Sequence, residues 1–194
     1  MKNQWLTIPN ILSMLRLLSA PVLIYLAWTG EEKWFFILWL ISISTDALDG
    51  FIARTFHMQT KLGAVLDSLA DTFMYVVTVL GVYWLKWDAF GPYQWQAALI
   101  PVFLLLPDLV ALLKFGKIAS LHLYSAKLNG ILMTAFVIWL FWKGFHPLFF
   151  QVIFWWALWT SIENLVILIP AKTYPSEMKG LWWVYGPGRK ERIP

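Results

Sequence analysis

The chain has no cysteine and little charge. Without a thiol there is no disulfide, no thiolate nucleophile and no cysteine-built metal site, so a bound metal would have to use oxygen or nitrogen ligands. The three histidines, His57, His122 and His146, fall in separate predicted loops and form no metal set. Charged residues make up only 13% of the chain and hydrophobic ones 60%, where a soluble domain has roughly 25% and 45–50%. A soluble globular fold is therefore excluded, and no nucleic-acid partner is expected. Internal repeats and low-complexity segments are also lacking.

What the chain does have is a series of long apolar runs. A helix needs about 20 residues to cross roughly 30 Å of hydrocarbon, and the 194 residues divide into six such runs. The predicted spans end near residue 28, then cover about 34–54, 61–85, 94–113, 126–142 and 148–169. The expected fold class is all-α, integral to the membrane, with six transmembrane helices and a short interfacial N-terminal segment. Thr7 reads as the first helix cap, with Pro9 in the first turn where a missing N–H does no harm. Asn10, Ser13 and Arg16 are expected at the interface, with Arg16 snorkelling to the headgroups, before the apolar 21–27 crosses. The first run lacks a small-residue cleavage site and is expected to be a retained helix. Residues 1–170 form the expected membrane domain. The polar, basic 171–194 forms a tail whose Trp182, Trp183 and Tyr185 suit the headgroup level.

Lys and Arg divide unevenly between the two sides of this topology. One side holds Lys2, Arg54, Lys61, Lys114, Lys117, Lys127, Lys172, Lys179, Arg189, Lys190 and Arg192; the other holds Lys33, Lys86 and Lys143. The positive-inside rule then places both termini in the cytoplasm, with the chain in the cell (inner) membrane.

Four carboxylates interrupt the second and third runs near their cytoplasmic ends: Asp46, Asp49, Asp67 and Asp71. Each acid inside a lipid-embedded helix costs about 2.5–3.5 kcal/mol on insertion scales, so the four together need a cation. Asp46, Asp49 and Ala53 share one helix face; Gly63, Asp67 and Asp71 share another. A short turn between the runs lets these faces oppose each other, and the small residues Gly50, Ala53 and Gly63 permit close approach. Carboxylates converging from two helices suit Mg²⁺, Mn²⁺ or Ca²⁺, and two such ions could clamp a pyrophosphate. Ion pairing with Arg54, Lys61 and the connector lysines is the plain structural alternative. A cation or proton pathway is the other, although such sites favour the midplane between repeats.

The segment Asp46–Arg54, the eight residues after it, and Gly63–Asp71 read D-x-x-D-G-x-x-A-R, then G-x-x-x-D-x-x-x-D. This resembles the signature of the CDP-alcohol phosphatidyltransferase family, with every fixed position matched. The six-helix pattern and the Ile8-Pro9-Asn10 opening look like the family too. The resemblance implies an enzyme in which a small alcohol attacks CDP-diacylglycerol at a cytoplasm-facing site, giving a phospholipid and CMP. It implies two divalent cations, Mg²⁺ or Mn²⁺, held by Asp46, Asp49, Asp67 and Asp71, with Asp71 also the catalytic base. Asp49, Gly50, Ala53, Arg54 and Gly63 would shape the CDP site, and a homodimer is expected on the same ground. Arg54 suits a phosphate by its planar fork of donors.

The acceptor signals conflict. Glycerol 3-phosphate users often read Asp-Pro-x-Ala-Asp-Lys where this chain reads Asp67-Ser68-Leu69-Ala70-Asp71-Thr72, and a serine after the third aspartate looks more like phosphatidylserine synthases. Against that, Lys114, Lys117 and Lys127 form a basic group suited to a phosphorylated acceptor. Glycerol 3-phosphate is the first expectation, serine the second and inositol phosphate behind. Glu163 is expected to pair with Lys127 or Asn129, and Asp108 either lines the acceptor pocket or is a paired structural acid.

Overall fold

The computed structural model describes residues 7–56, 60–116, 123–174 and 180–181. Within them, the side chains of 47, 49–51, 53–54, 61–62 and 64 lie outside the described set. The six predicted runs return as six helices: α1 Ile8–Trp28, α2 Glu32–Thr55, α3 Lys61–Lys86, α4 Gln94–Phe115, α5 Tyr124–Lys143 and α6 Pro147–Leu168. No strand occurs among the described residues. Four stretches are long and apolar enough to cross a membrane: α1, Val65–Phe115, α5 and α6. The second takes in most of α3 and all of α4. These four are found among the described residues alone, and α2 has several residues outside that set.

Local chemistry sets the helix ends. Thr7 stands at the N-cap of α1 in extended conformation but makes no capping bond, while Pro9 fills the first turn. Thr60 caps α3 by accepting from Gly63 N at 2.9 Å. His146 Nδ1 accepts from Phe149 N at 3.2 Å ahead of Pro147 at the start of α6. Between α3 and α4 the chain turns at Gly91, whose φ of 47° favours a residue without a Cβ. α4 continues as one helix through Pro101 and Pro107.

The chain forms two compact units, 1–87 and 88–194. In the first, α1 packs along both α2 and α3. Its buried face reads Asn10, Ser13, Arg16, Ala20, Leu23 and Ala27, a spacing of three and four that keeps one stripe inward. Leu15, Leu18, Val22 and Tyr25 face outward. This helix is apolar outside, and its inward stripe is polar in the N-terminal half and apolar beyond it, as suits a lipid-facing element whose polar groups find partners in the protein. Asn10, Ser13 and Arg16 are therefore part of a continuous buried face, correcting the snorkelling Arg16. The distinction is physical: a snorkelling side chain reaches for water, whereas this one ends against carboxylates.

Unit 1 also fixes how α2 and α3 run past each other. Glu32 pairs with Lys86 at 2.5 Å, and Trp39 Nε1 donates to Thr78 Oγ1 at 2.8 Å. The Phe35 ring lies against Gly81, where an added Cβ would run into the ring. These contacts give an antiparallel register, and continuing it two turns brings Asp46 level with Asp71.

Unit 2 packs α4 and α5 against α6. Phe90, Phe136, Phe145 and Phe150 form a ring cluster with centroids 5.0–6.4 Å apart in tilted and edge-on contacts. One amide pair links α4 to α6: Gln151 Nε2 donates to Gln96 Oε1 at 2.8 Å. The described part of the tail belongs to this unit, with Ala171 buried and Tyr174 5.8 Å from the Phe115 ring.

Candidate active site

The antiparallel register predicts that the acids of α2 and α3 meet, and they do. Carboxylate oxygens of Asp46, Asp67 and Asp71 lie within 4.8 Å of one another. Asp67 and Asp71 are one helical turn apart on α3, and Asp46 comes from α2. Two unit negative charges about 5 Å apart repel by roughly 3 kcal/mol at an effective dielectric near 20, and less where water reaches them. A positive group is needed to keep three together.

Arg16 of α1 is that group. Its guanidinium contacts Asp46 Oδ1, Asp67 Oδ1 at 2.8 Å and Asp71 Oδ1 at 3.3 Å. The Arg16 side chain is only 1% exposed, whereas those of Asp46, Asp67 and Asp71 are 43%, 48% and 58% exposed. The guanidinium thus forms a buried floor, and the carboxylates form an open rim above it. Ser19 Oγ donates to the Arg16 carbonyl at 2.7 Å and lies 3.1 Å from Ser42 Oγ, extending the polar interior of α1 toward α2.

Sequence reasoning found the acids and missed Arg16. The available signal was the phase of Asn10, Ser13 and Arg16 with Ala20, Leu23 and Ala27: a polar end on a stripe of small and apolar residues marks an inward face.

Gly63 has a clear geometric reason. A Cβ there would run into the Asn10 carboxamide and stand 2.9 Å from Thr60 Oγ1. The glycine lets buried Asn10 of α1 press against the first turn of α3. Asp49, Gly50, Ala53 and Arg54 lie on α2, but their side chains are outside the described set.

The predicted acceptor lysines fall in unit 2. Lys114 Nζ donates to the Leu168 carbonyl at 3.2 Å and to the Ile169 carbonyl, capping the end of α6. Lys127 Nζ is 5.9 Å from the Tyr124 ring centroid, and Lys117 lies outside the described residues. Glu163 is buried, and the partner seen for it is the Leu181 backbone, whose N–H donates to Oε1 at 3.0 Å. The partners expected for it, Lys127 and Asn129, are not the ones found.

The profile of the CDP-alcohol phosphatidyltransferase family matches residues 6–163. The chain belongs to that family. The matched range takes in α1, α2 and α3 with the whole acidic rim, together with most of unit 2. Among relatives of this CDP-alcohol phosphatidyltransferase family member is the CDP-diacylglycerol–glycerol-3-phosphate 3-phosphatidyltransferase of Cereibacter sphaeroides. It is 38% identical over 78 residues, covering 38% of this chain and 35% of the relative. The CMP-forming cardiolipin synthase of Streptomyces coelicolor is 36% identical over 85 residues, 41% and 40% of the two chains. The human CMP-forming cardiolipin synthase is 48% identical over 73 residues, 36% and 23% of the two. The chain thus spans well under half the length of the curated relatives it matches. No solved structure matches it.

Family members use divalent metals, and the residues here fit one. Three hard carboxylate oxygens from two helices, clustered within 4.8 Å and open on one side, are the donor set such ions prefer.

Proposed function

We propose that this chain is an integral membrane enzyme that transfers a phosphatidyl group from CDP-diacylglycerol to glycerol 3-phosphate, releasing CMP. The observation that carries the reading is the meeting of Asp46 from α2 with Asp67 and Asp71 from α3. Asp46, Asp49, Asp67 and Asp71 would hold two divalent cations, Mg²⁺ or Mn²⁺. When bound, these ions neutralise the diphosphate of the donor and polarise its phosphorus.

The rest is the chain's own work. Asp71 is the most exposed of the three described acids, at the rim where a water-borne alcohol arrives. It takes the proton from the acceptor hydroxyl; the alcohol oxygen bonds to the phosphorus bearing the diacylglycerol, and the bond from that phosphorus to the CMP oxygen breaks. Gly50, Ala53 and Gly63 shape the nucleotide pocket, and Arg54 meets phosphate. Lys114, Lys117 and Lys127 attract the phosphate of the acceptor, with Lys114 also tied to the end of α6.

Six helices of 20–26 residues each have the length to cross, which supports six spans, and the Lys and Arg distribution supports cytoplasmic termini. In unit 1, exposed Trp28 and Trp34 gather at the ends of α1 and α2 farthest from the acids, as an interfacial belt would. Arg16 is about 18 Å from Trp28 along α1 at 1.5 Å per residue, which supports a site in the opposite half of the bilayer. Residues 1–170 act as the membrane domain and 171–194 as a cytoplasmic tail, and the chain works as a homodimer in the inner membrane.

Cardiolipin synthases among the relatives favour a second reading, in which the acceptor is a lipid-borne alcohol such as phosphatidylglycerol. Purified protein given CDP-diacylglycerol and Mg²⁺ or Mn²⁺ tests both. The expected result is CMP release that disappears in Asp71→Asn. Glycerol 3-phosphate, phosphatidylglycerol, serine and inositol phosphate offered in turn identify the acceptor by the lipid formed. A cation or proton transporter would release no CMP with any of them.

A further inference from the structure

The proposed metal ligands are already engaged by a cation that belongs to the chain. Arg16 sits beneath the acids with its side chain buried, and its two terminal nitrogens reach Asp46, Asp67 and Asp71 at the same time. It rises from α1, a third helix packed along both acid-bearing helices, so one side chain reaches the acids of both. The neighbouring residues support that placement: Ser13 and Asn10 are buried on the same stripe, and Ser19 bonds the Arg16 carbonyl while touching Ser42 of α2.

We propose that Arg16 is the resident counter-ion of this site. It holds the three carboxylates together before a divalent cation arrives and competes with that cation for them afterwards. Arg16 is therefore a positioning residue, and the inference rests on the metal reading given above. Two consequences separate it from simple packing. First, the metal-free protein depends on Arg16 for stability, because three like charges would otherwise face one another, while the metal-loaded protein depends on it less. Second, a guanidinium bonded to the same oxygens opposes the incoming charge, so its removal tightens metal binding. A side chain that only oriented the ligands would do the reverse, since loss of such support weakens a metal site.

The test uses the full-length protein in lipid nanodiscs, with Mn²⁺ as the probe, followed by electron paramagnetic resonance and by thermal unfolding in chelator or in saturating Mn²⁺. In Arg16→Met the expected result is Mn²⁺ binding roughly tenfold tighter than wild type, and a melting temperature lowered in chelator but largely restored by Mn²⁺. Arg16→Lys keeps the charge and lacks the fork, so it folds in chelator if Arg16→Met does not. Its Mn²⁺ binding is expected to be tighter than wild type by a smaller factor, about two- to fivefold. Unchanged or weaker Mn²⁺ binding in the folded variants, with equal loss of stability in both conditions, would overturn the counter-ion role alone. Failure of the wild-type protein to bind Mn²⁺ saturably would overturn the metal reading as well.

Discussion

The two units of this chain are built around different clusters, one of opposed charges and one of aromatic rings. Unit 1 encloses a polar stripe on α1 that ends in a guanidinium under three carboxylates. Unit 2 encloses packed phenylalanine rings beside buried polar residues such as Glu163 and Asn164, with Gln96 and Gln151 joined as an amide pair. In a membrane, apolar packing is available on every side, so a cluster of opposed charges signals a task and a cluster of rings signals cohesion. The charge cluster of the proposed site lies in the first 87 residues and the ring cluster in the second unit.

Paired substitutions can break or sharpen that contrast. The largest effect is expected from Asp67→Asn, which should lower CMP release by about a thousandfold or more while the protein still folds. Gln151→Leu, which removes a buried polar pair in unit 2, should change turnover less than about threefold and register mainly in thermal unfolding. Comparable losses of turnover from the two would erase the distinction.

Glycines give the next largest contrast. Gly63→Val places new atoms against Asn10 and Thr60 and should destabilise by about 1–3 kcal/mol. Gly130, in the interior of α5, has no atom within 4 Å of an added Cβ, so Gly130→Ala should be neutral or stabilise by up to about 1 kcal/mol. Melting temperatures of the two variants in the same detergent decide it.

Smaller effects are expected where side chains hold chain ends. Glu163→Ala removes the acceptor for the Leu181 N–H and should cost about 1–2 kcal/mol, read as faster proteolytic release of the C-terminal segment. Lys114→Met removes the cap on α6 and should cost about 1 kcal/mol. If Lys114 also draws in a phosphorylated acceptor, the same variant raises KM for glycerol 3-phosphate; an unchanged KM with a lowered melting temperature would leave it as a cap only.

Legibility in the sequence divides along the same line. Helix bounds were legible to within about two residues, because lipid thickness sets run length and because Thr60, Gly116 and Pro147 punctuate the runs. Three of the acids were legible because a carboxylate in an apolar run has no ordinary explanation. Arg16 was misread because its charge suggested the interface, although its phase on α1 pointed inward. The ties of Lys114 to the end of α6 and of Glu163 to Leu181 use backbone groups far along the chain. A backbone donor or acceptor carries no mark in the residue letters, so neither tie could be anticipated.

The central claim is that α2 and α3 bring their acids together to hold divalent cations, and counting bound Mn²⁺ on the purified protein tests it most directly. The account predicts saturable binding in the wild type that is lost in Asp46→Asn and in Asp67→Asn alike, one variant from each helix. Binding that survives both substitutions, or a wild-type protein that binds no Mn²⁺, would contradict it.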